Sequence, residues 1–260
     1  MLQKLDFPST EAQVYLQGAH LTRFQDWLFL SSRSQFDMGK AIRGGIPVIF
    51  PWFGPHPGDK VAPQHGWART SLWTVESQDA NSVTLCISTQ GMNTAAGQWP
   101  FQARLEYRFS EALEARFSVE NLGATPTRFE CALHSYFAVS DISRVSIEGL
   151  DGLTYKNKTR ANERFTQKGS LTFEGEVDRV YFAAPSPLRL HDGESGYELS
   201  GDWKSAVTWN PGAEKAASMS DLGEDEWRRF ACLEVGAIGD DAIELEAGKM
   251  WEMNLRVTRK

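Results

Sequence analysis

Alternation of apolar and polar residues at every second position is the feature of this sequence that most restricts its fold. It runs through residues 83–88, 103–110 and 113–120, and again through 251–258 near the end of the chain. A period of two places the apolar side chains on one face of an extended strand and the polar ones on the other. Outside the loops, no segment keeps the apolar spacing of an amphipathic helix for more than a turn or two. We therefore expect antiparallel strands, half-buried, and little helix.

Short segments rich in turn residues separate these strands, for example 121–126, 192–196 and 239–241. Many short strands with Gly, Pro and Asn turns predict an all-β sandwich or barrel of mainly antiparallel strands. A chain of 260 residues can form one large sandwich. Because no shift in composition marks a boundary, we expect residues 1–260 to form a single domain.

Composition and charge exclude several classes of protein. The net charge of −7 disfavours a nucleic-acid surface, although two or three local cations would suffice for one small anion. No run approaches the roughly 20 apolar residues of a membrane span, and the first residues lack the apolar region of a secretory signal, which favours the cytoplasm. Cys86, Cys131 and Cys232 stand singly, as reduced core thiols do. The five histidines form no HxH or HxxxH pair, so we expect no metal site.

Two segments interrupt the alternation and are expected to be long loops, which in compact domains usually bind ligands. The first, 38–70, is dense in Gly and Pro. The second, 209–229, contains the acidic run 221–226, which we expect to be a solvated loop.

A histidine and a glutamate each occupy an unexpected place in a strand. In 129–136 the apolar phase is Phe129, Cys131 and Leu133, so His134 points to the opposite face. In 230–236 Glu234 likewise leaves the apolar phase, and a lone buried carboxylate would cost several kcal/mol. The two side chains could form an acid/base pair across a cavity, although either alone is more commonly structural.

The first loop also carries a set of polar residues that could hold an anion. Arg43 precedes two glycines, and Gln64, His65 and Arg69 follow in the segment QHGWAR. A guanidinium group matches carboxylate or phosphate with two parallel hydrogen bonds, so the two arginines could act as a clamp. Surface salt bridges are the alternative for both.

The motifs IRGGIPVIFPWFG, QHGWAR, ALHSYFAVSDI, EVDRVY, TWNPG and CLEVG occur in this order between residues 42 and 236. In this order they resemble the hexose-6-phosphate mutarotase branch of the aldose 1-epimerase superfamily. The resemblance implies a galactose-mutarotase-like β-supersandwich. It also implies that His134 donates a proton to the sugar ring oxygen and that Glu234 is the base on the C1 hydroxyl.

Substrate contacts are implied by the same resemblance for Arg43, Gln64, Arg69 and Asp178, and His65 matches a second active-site histidine. The implied reaction is exchange of the α and β anomers of a hexose 6-phosphate, chiefly glucose 6-phosphate. An acid and a base suffice for it, so neither a metal nor a cofactor is expected. A protonated histidine beside an ionised glutamate predicts a bell-shaped pH dependence of kcat/KM.

Two other functions stay open on the sequence. One is a mutarotase for unphosphorylated aldoses, and the other is a non-catalytic protein that binds sugar phosphates. Recognition alone needs no matched acid and base, which counts against the second. We expect a monomer or weak oligomer whose partner is the small-molecule substrate, with no nucleic acid and no membrane.

Overall fold

The computed structural model describes residues 2–56, 58–89 and 99–260. Nearly all of its regular elements are short strands: β1 Lys4–Phe7, β2 Ala12–Tyr15, β3 His20–Phe24, β4 Val48–Ile49, β5 Thr74–Gln78, β6 Ser82–Ser88, β7 Phe101–Phe109, β8 Leu113–Asn121, β9 Thr127–Phe129, β10 Cys131–Leu133, β11 Tyr136–Ala138, β12 Val145–Glu148, β13 Thr154–Asn157, β14 Glu163–Thr166, β15 Leu171–Thr172, β16 Val177–Tyr181, β17 Leu188–Asp192, β18 Ser195–Gly201, β19 Ser205–Asn210, β20 Phe230–Ala237, β21 Ile243–Leu245 and β22 Met250–Arg259. The described residues hold one α-helix, α1 (Gly212–Ala216), and short 3-10 helices at Pro8–Thr10, Ala68–Thr70, Ile142–Arg144, Lys158–Arg160, Glu226–Arg229 and Gly239–Asp241. The all-β prediction is confirmed.

Most strands belong to two large sheets. Sheet A has eight strands in the order β14-β13-β16-β19-β20-β10-β4, with β11 also pairing with β20. Sheet B has nine, in the order β15-β12-β17-β18-β22-β8-β7-β6-β5. Smaller sheets join β1, β2 and β3, and β9 with β21. Every pairing between these strands is antiparallel, as the alternation predicted.

Sheet B keeps the predicted alternation of buried and exposed side chains along β7 and β8. Leu105 and Phe117, which lie opposite each other on these strands, are almost fully buried in the main core. Each such side chain contributes about 1.5–3 kcal/mol of transfer free energy on burial. The outer face carries ion pairs, among them those of Glu106 with Arg108 and Arg116. This face is therefore solvated.

Sheet A is covered on both faces at its centre, because every residue of β19 and β20 is buried. Leu233 and Val235 pack into the main core, whereas Cys232 joins a separate apolar cluster with Trp209. Alternation along β20 therefore places Glu234 on the same side as Cys232, away from the main core. This agrees with the phase predicted for Glu234.

Both predicted loops border this second face, although each contains regular structure. The segment 38–70 includes β4 and a 3-10 turn, and 209–229 includes α1 and begins with the last residues of β19. No helix in the described part of the chain is long and apolar enough to cross a membrane. Organisation as one domain over residues 1–260 stays a prediction.

Candidate active site

His134 and Glu234 lie side by side on the second face of sheet A. His134 follows β10, in which Leu133 lies opposite Val235 of β20, and β11 continues the same register on the other side of His134. The register therefore places His134 opposite Glu234. Its Nε2 is 3.3 Å from Oε1 of Glu234, and both residues are buried. The structure thus brings together the two residues that the sequence singled out.

Burial determines how this pair holds its proton. It lowers the pKa of His134 well below its ordinary value, and the nearby His65, Arg69 and Arg43 lower it further. Burial also raises the pKa of Glu234 well above its ordinary value. The free protein therefore favours a neutral imidazole beside a protonated carboxyl group, because desolvation outweighs the mutual attraction of the ions. The imidazolium–carboxylate form that the sequence led us to expect has the same number of protons. It differs only in that the shared proton lies on His134 instead of Glu234.

The imidazole of His134 is held between aromatic rings. It lies nearly parallel to the Tyr136 ring, with centroids 4.7 Å apart and planes at 9°, and the Trp209 ring meets it edge-on at 6.0 Å. In the described residues, Nδ1 of His134 and Oε2 of Glu234 have no hydrogen-bond partner. Buried polar atoms are rarely left unpaired, so both are available to a ligand.

Arg43 enters the site from a tight turn. Both following glycines have positive φ, and a Cβ on Gly45 would stand 2.3 Å from the carbonyl oxygen of Leu21. Gly45 therefore lets the Arg43 loop lie directly against β3. The guanidinium donates to Oδ2 of Asp221 from Nε at 3.2 Å and from Nη2 at 3.0 Å, and to the Tyr136 hydroxyl from Nη1 at 2.9 Å.

Arg69 reaches the same cleft without a carboxylate partner among the residues that the structure describes. Its Nη2 donates to the backbone oxygen of Gln64 at 2.8 Å, while its Nε is buried and makes no hydrogen bond. Burial lowers the pKa of Arg69, as expected for a buried cation without a counter-ion. An anion in the cleft would supply one.

His65 is fixed by a strained loop beside His134. Its φ is +67°, its backbone N–H donates to the Gly54 oxygen at 2.7 Å, and its Nδ1 accepts from the Gly54 N–H at 3.2 Å. Burial, with Arg69, Lys158 and Arg43, lowers the pKa of His65 to about 2. His65 is therefore neutral at physiological pH, and its ring centroid lies 6.3 Å from that of His134.

Asp178 lines the opposite side of the cleft, with a lysine that the sequence analysis did not identify. Lys158 Nζ is 3.4 Å from Oδ2 of Asp178 and 4.9 Å from the centroid of the Phe53 ring. Burial raises the pKa of Asp178, although Lys158 opposes the shift. In sheet A the strand order is β16, β19, β20, β10, so Asp178 on β16 lies on the Glu234 side of the site, away from His134.

His134, Glu234, the two arginines, His65, Asp178 and Lys158 line one cleft of about 250 Å³. Its walls are Arg43, Phe53, Gln64, His65, Arg69, His134, Lys158, Asp178, Trp209, Lys215, Met219 and Glu234. Every predicted site residue is among them. A larger cavity of about 400 Å³ lies on the outer face of sheet B, but ion-paired surface residues line it and it holds no comparable acid/base pair. The cleft on sheet A is therefore the candidate site.

Several residues of this site were missed on the sequence. Lys158, Trp209, Lys215 and Met219 line the cleft, and Asp221 contacts Arg43, so the acidic run is not simply a solvated loop. Of the aromatic residues in the first loop, Phe53 lines the cleft. In the described ranges, no group of three His, Cys, Asp or Glu side chains is placed to hold a metal ion.

The chain's class is that of enzymes that isomerise sugars, as its fold and its match to a family pattern show. The sequence pattern of the aldose 1-epimerase family matches residues 1–258, and the chain belongs to that family.

Relatives of known sequence carry a more specific name. A protein of Cenchrus ciliaris called "Putative glucose-6-phosphate 1-epimerase" is 34% identical over a match that covers 92% of this chain and 78% of the relative. A protein of Escherichia coli K12 with the same name is 33% identical over 240 residues, covering 88% and 81%.

Solved structures agree on the fold. The crystal structure of a "putative mutarotase (YeaD)" from Salmonella typhimurium superposes with a TM-score of 0.85 at 26% identity, covering 98% of this chain and 89% of that one. A "Putative aldose 1-epimerase" from E. coli K12 has a TM-score of 0.76 at 14% identity, covering 100% and 99%. The predicted galactose-mutarotase-like β-supersandwich is thus confirmed.

Proposed function

We propose that this protein exchanges the α and β anomers of hexose 6-phosphates and that D-glucose 6-phosphate is its substrate. The observation that carries the proposal is one cleft that combines the buried His134–Glu234 pair with two guanidinium groups. Arg69 has no carboxylate partner among the described residues, which fits an anionic ligand. The names of the relatives, glucose-6-phosphate 1-epimerase, support the same substrate.

The order of charges across the cleft matches the order of groups around the sugar. Arg43 donates a hydrogen bond to Tyr136, which stacks on His134, whereas Asp178, with Lys158 beside it, lies on the Glu234 side. In a hexopyranose 6-phosphate, C6 is attached to C5, which is bonded to the ring oxygen, and C1 lies beyond that oxygen. With the phosphate at the arginines, the ring oxygen meets His134 and the C1 hydroxyl meets Glu234.

Proton transfer within the pair then accounts for the reaction. Passage of the shared proton from Glu234 to His134 produces a carboxylate and an imidazolium. The carboxylate takes the proton of the C1 hydroxyl while the imidazolium protonates the ring oxygen, and the C1–O5 bond opens. Rotation about C1–C2 presents the other carbonyl face, and the reverse transfers close the ring as the other anomer. Acid and base each contribute about 10²- to 10⁴-fold.

The arginines distinguish a phosphosugar enzyme from a mutarotase of free aldoses. We expect Arg43→Met and Arg69→Met each to lower kcat/KM for glucose 6-phosphate by about ten- to hundredfold, since hydrogen bonds to charged groups contribute about 1.5–3 kcal/mol. Free glucose, which lacks the phosphate, should be affected much less. NMR saturation transfer between the anomers measures both rates.

Arg104→Met is the matched control, because Arg104 pairs with Glu76 on sheet B, outside the cleft. It should leave both rates unchanged. Equal losses on glucose and glucose 6-phosphate in the Arg43 and Arg69 variants would favour the free-aldose mutarotase instead.

A further inference from the structure

A single side chain connects the proposed phosphate clamp to the proposed general acid. The Tyr136 hydroxyl accepts a hydrogen bond from Nη1 of Arg43 at 2.9 Å, and the Tyr136 ring lies 4.7 Å from the His134 ring in a nearly parallel stack. Tyr136 is itself almost fully buried. A shift in the position of Arg43 would therefore be passed to His134 through the Tyr136 ring.

Arg43 keeps the donors that a phosphate needs. A guanidinium group has five N–H donors. Asp221 takes one from Nε and one from Nη2, and Tyr136 takes one from Nη1. One N–H is left on each terminal nitrogen, so two donors remain for phosphate oxygens. Asp221 and Tyr136 thus fix the guanidinium plane without using up this pair of donors.

The arginines around His134 oppose its protonation. Arg43, Arg69 and the neutral ring of His65 face it from the first loop, and Glu234 faces it from β20. After burial, His65, Arg69 and Arg43 are the causes that lower the pKa of His134. A phosphate dianion between the two guanidinium groups would offset their charge and favour the imidazolium form.

We propose that the 6-phosphate activates the reaction as well as anchoring the substrate: a dianion held by Arg43 and Arg69 promotes proton donation by His134, with Tyr136 as the positioning residue between them. This rests on the proposed function. It follows that free phosphate should accelerate anomer exchange of a sugar that carries no phosphate of its own.

D-xylose with inorganic phosphate tests this directly, because xylose lacks C6 and leaves room for the anion. Inorganic phosphate is added at the concentration that halves exchange of glucose 6-phosphate, which shows that the clamp is occupied. Rates without enzyme at the same phosphate concentration are subtracted, since phosphate itself catalyses mutarotation. Coupling between two ligands is commonly 5- to 150-fold, and we expect kcat/KM for xylose to rise about tenfold.

Variants separate the Tyr136 link from a general salt effect. Tyr136→Phe keeps the ring on His134 but removes the hydroxyl that Arg43 contacts, so the activation by phosphate should fall to about twofold or less. Tyr107→Phe is the matched control: this buried tyrosine donates to the Ala19 oxygen, away from the cleft. It should keep the full activation.

The outcomes for the wild-type protein are distinct. If glucose 6-phosphate exchanges rapidly but phosphate does not accelerate xylose, the activation is wrong and the proposed function stands. If glucose 6-phosphate is not exchanged, the proposed function itself fails. Full activation by phosphate in a Tyr136→Phe protein that circular dichroism shows to be folded would mean that Tyr136 does not link Arg43 to His134.

Discussion

At the scale of single residues, the catalytic candidates were recognisable because they violate a local pattern. His134 and Glu234 each place an ionisable group where a strand should be apolar, and the cost of burying it demands a reason. Asp221 and Lys158 gave no such signal. Each is an ordinary charged residue in a polar segment, and its partner, Arg43 or Asp178, is fixed only by the tertiary fold.

The proton count of the pair leads to a prediction about pH. The active pair shares one proton. Activity is lost in acid when His134 is protonated while Glu234 keeps its proton, and the pKa of His134 is lowered. Activity is lost in alkali when Glu234 loses its proton, and the pKa of Glu234 is raised. The acid limb of the pH profile is therefore shifted to lower pH and the alkaline limb to higher pH. We expect kcat/KM for free glucose, which has no phosphate to titrate, to stay level through pH 6.5, the ordinary pKa of histidine. An acid limb centred there would show that His134 titrates like an exposed histidine.

At the scale of elements, the strand faces were predictable and their partners were not. Period-two alternation predicted which side of β20 carries Glu234, but only the register of β10 and β11 against β20 brings His134 opposite it. The pairing of strands that lie about 100 residues apart in the chain cannot be predicted from the sequence of either strand alone. The loop 38–70 was likewise predicted to bind ligand, whereas its attachment to β3 was not.

That attachment can be tested at Gly45. A Cβ there would stand 2.3 Å from the Leu21 oxygen at a φ of +64°, so Gly45→Ala must displace the loop that carries Arg43. Gly39→Ala is the control, since its φ is +76° but nothing lies within 4 Å of the added Cβ. We expect the control to lower the free energy of unfolding by about 1 kcal/mol and Gly45→Ala by at least 2–3 kcal/mol, measured by urea denaturation. Equal effects would mean that the close approach is unimportant.

At the scale of the whole molecule, the two sheets have different roles. Sheet B presents one solvated face and one core face, which is the pattern that sequence alternation reveals most clearly. The centre of sheet A is buried on both sides, and its second face is the floor of the cleft, which the two long loops border. A structure with only 14% identity shares this architecture. A shared fold does not by itself determine the substrate of a protein, because the side chains of the site do.

The most direct test is the rate of exchange between α- and β-glucose 6-phosphate with His134→Asn and Glu234→Gln proteins, measured by NMR saturation transfer. Both substitutions keep the size of the side chain, and unchanged thermal unfolding would verify the fold. We predict that the wild-type protein accelerates the exchange and that each variant loses at least about a hundredfold in kcat. Wild-type rates in either variant would contradict the assignment of this pair as acid and base.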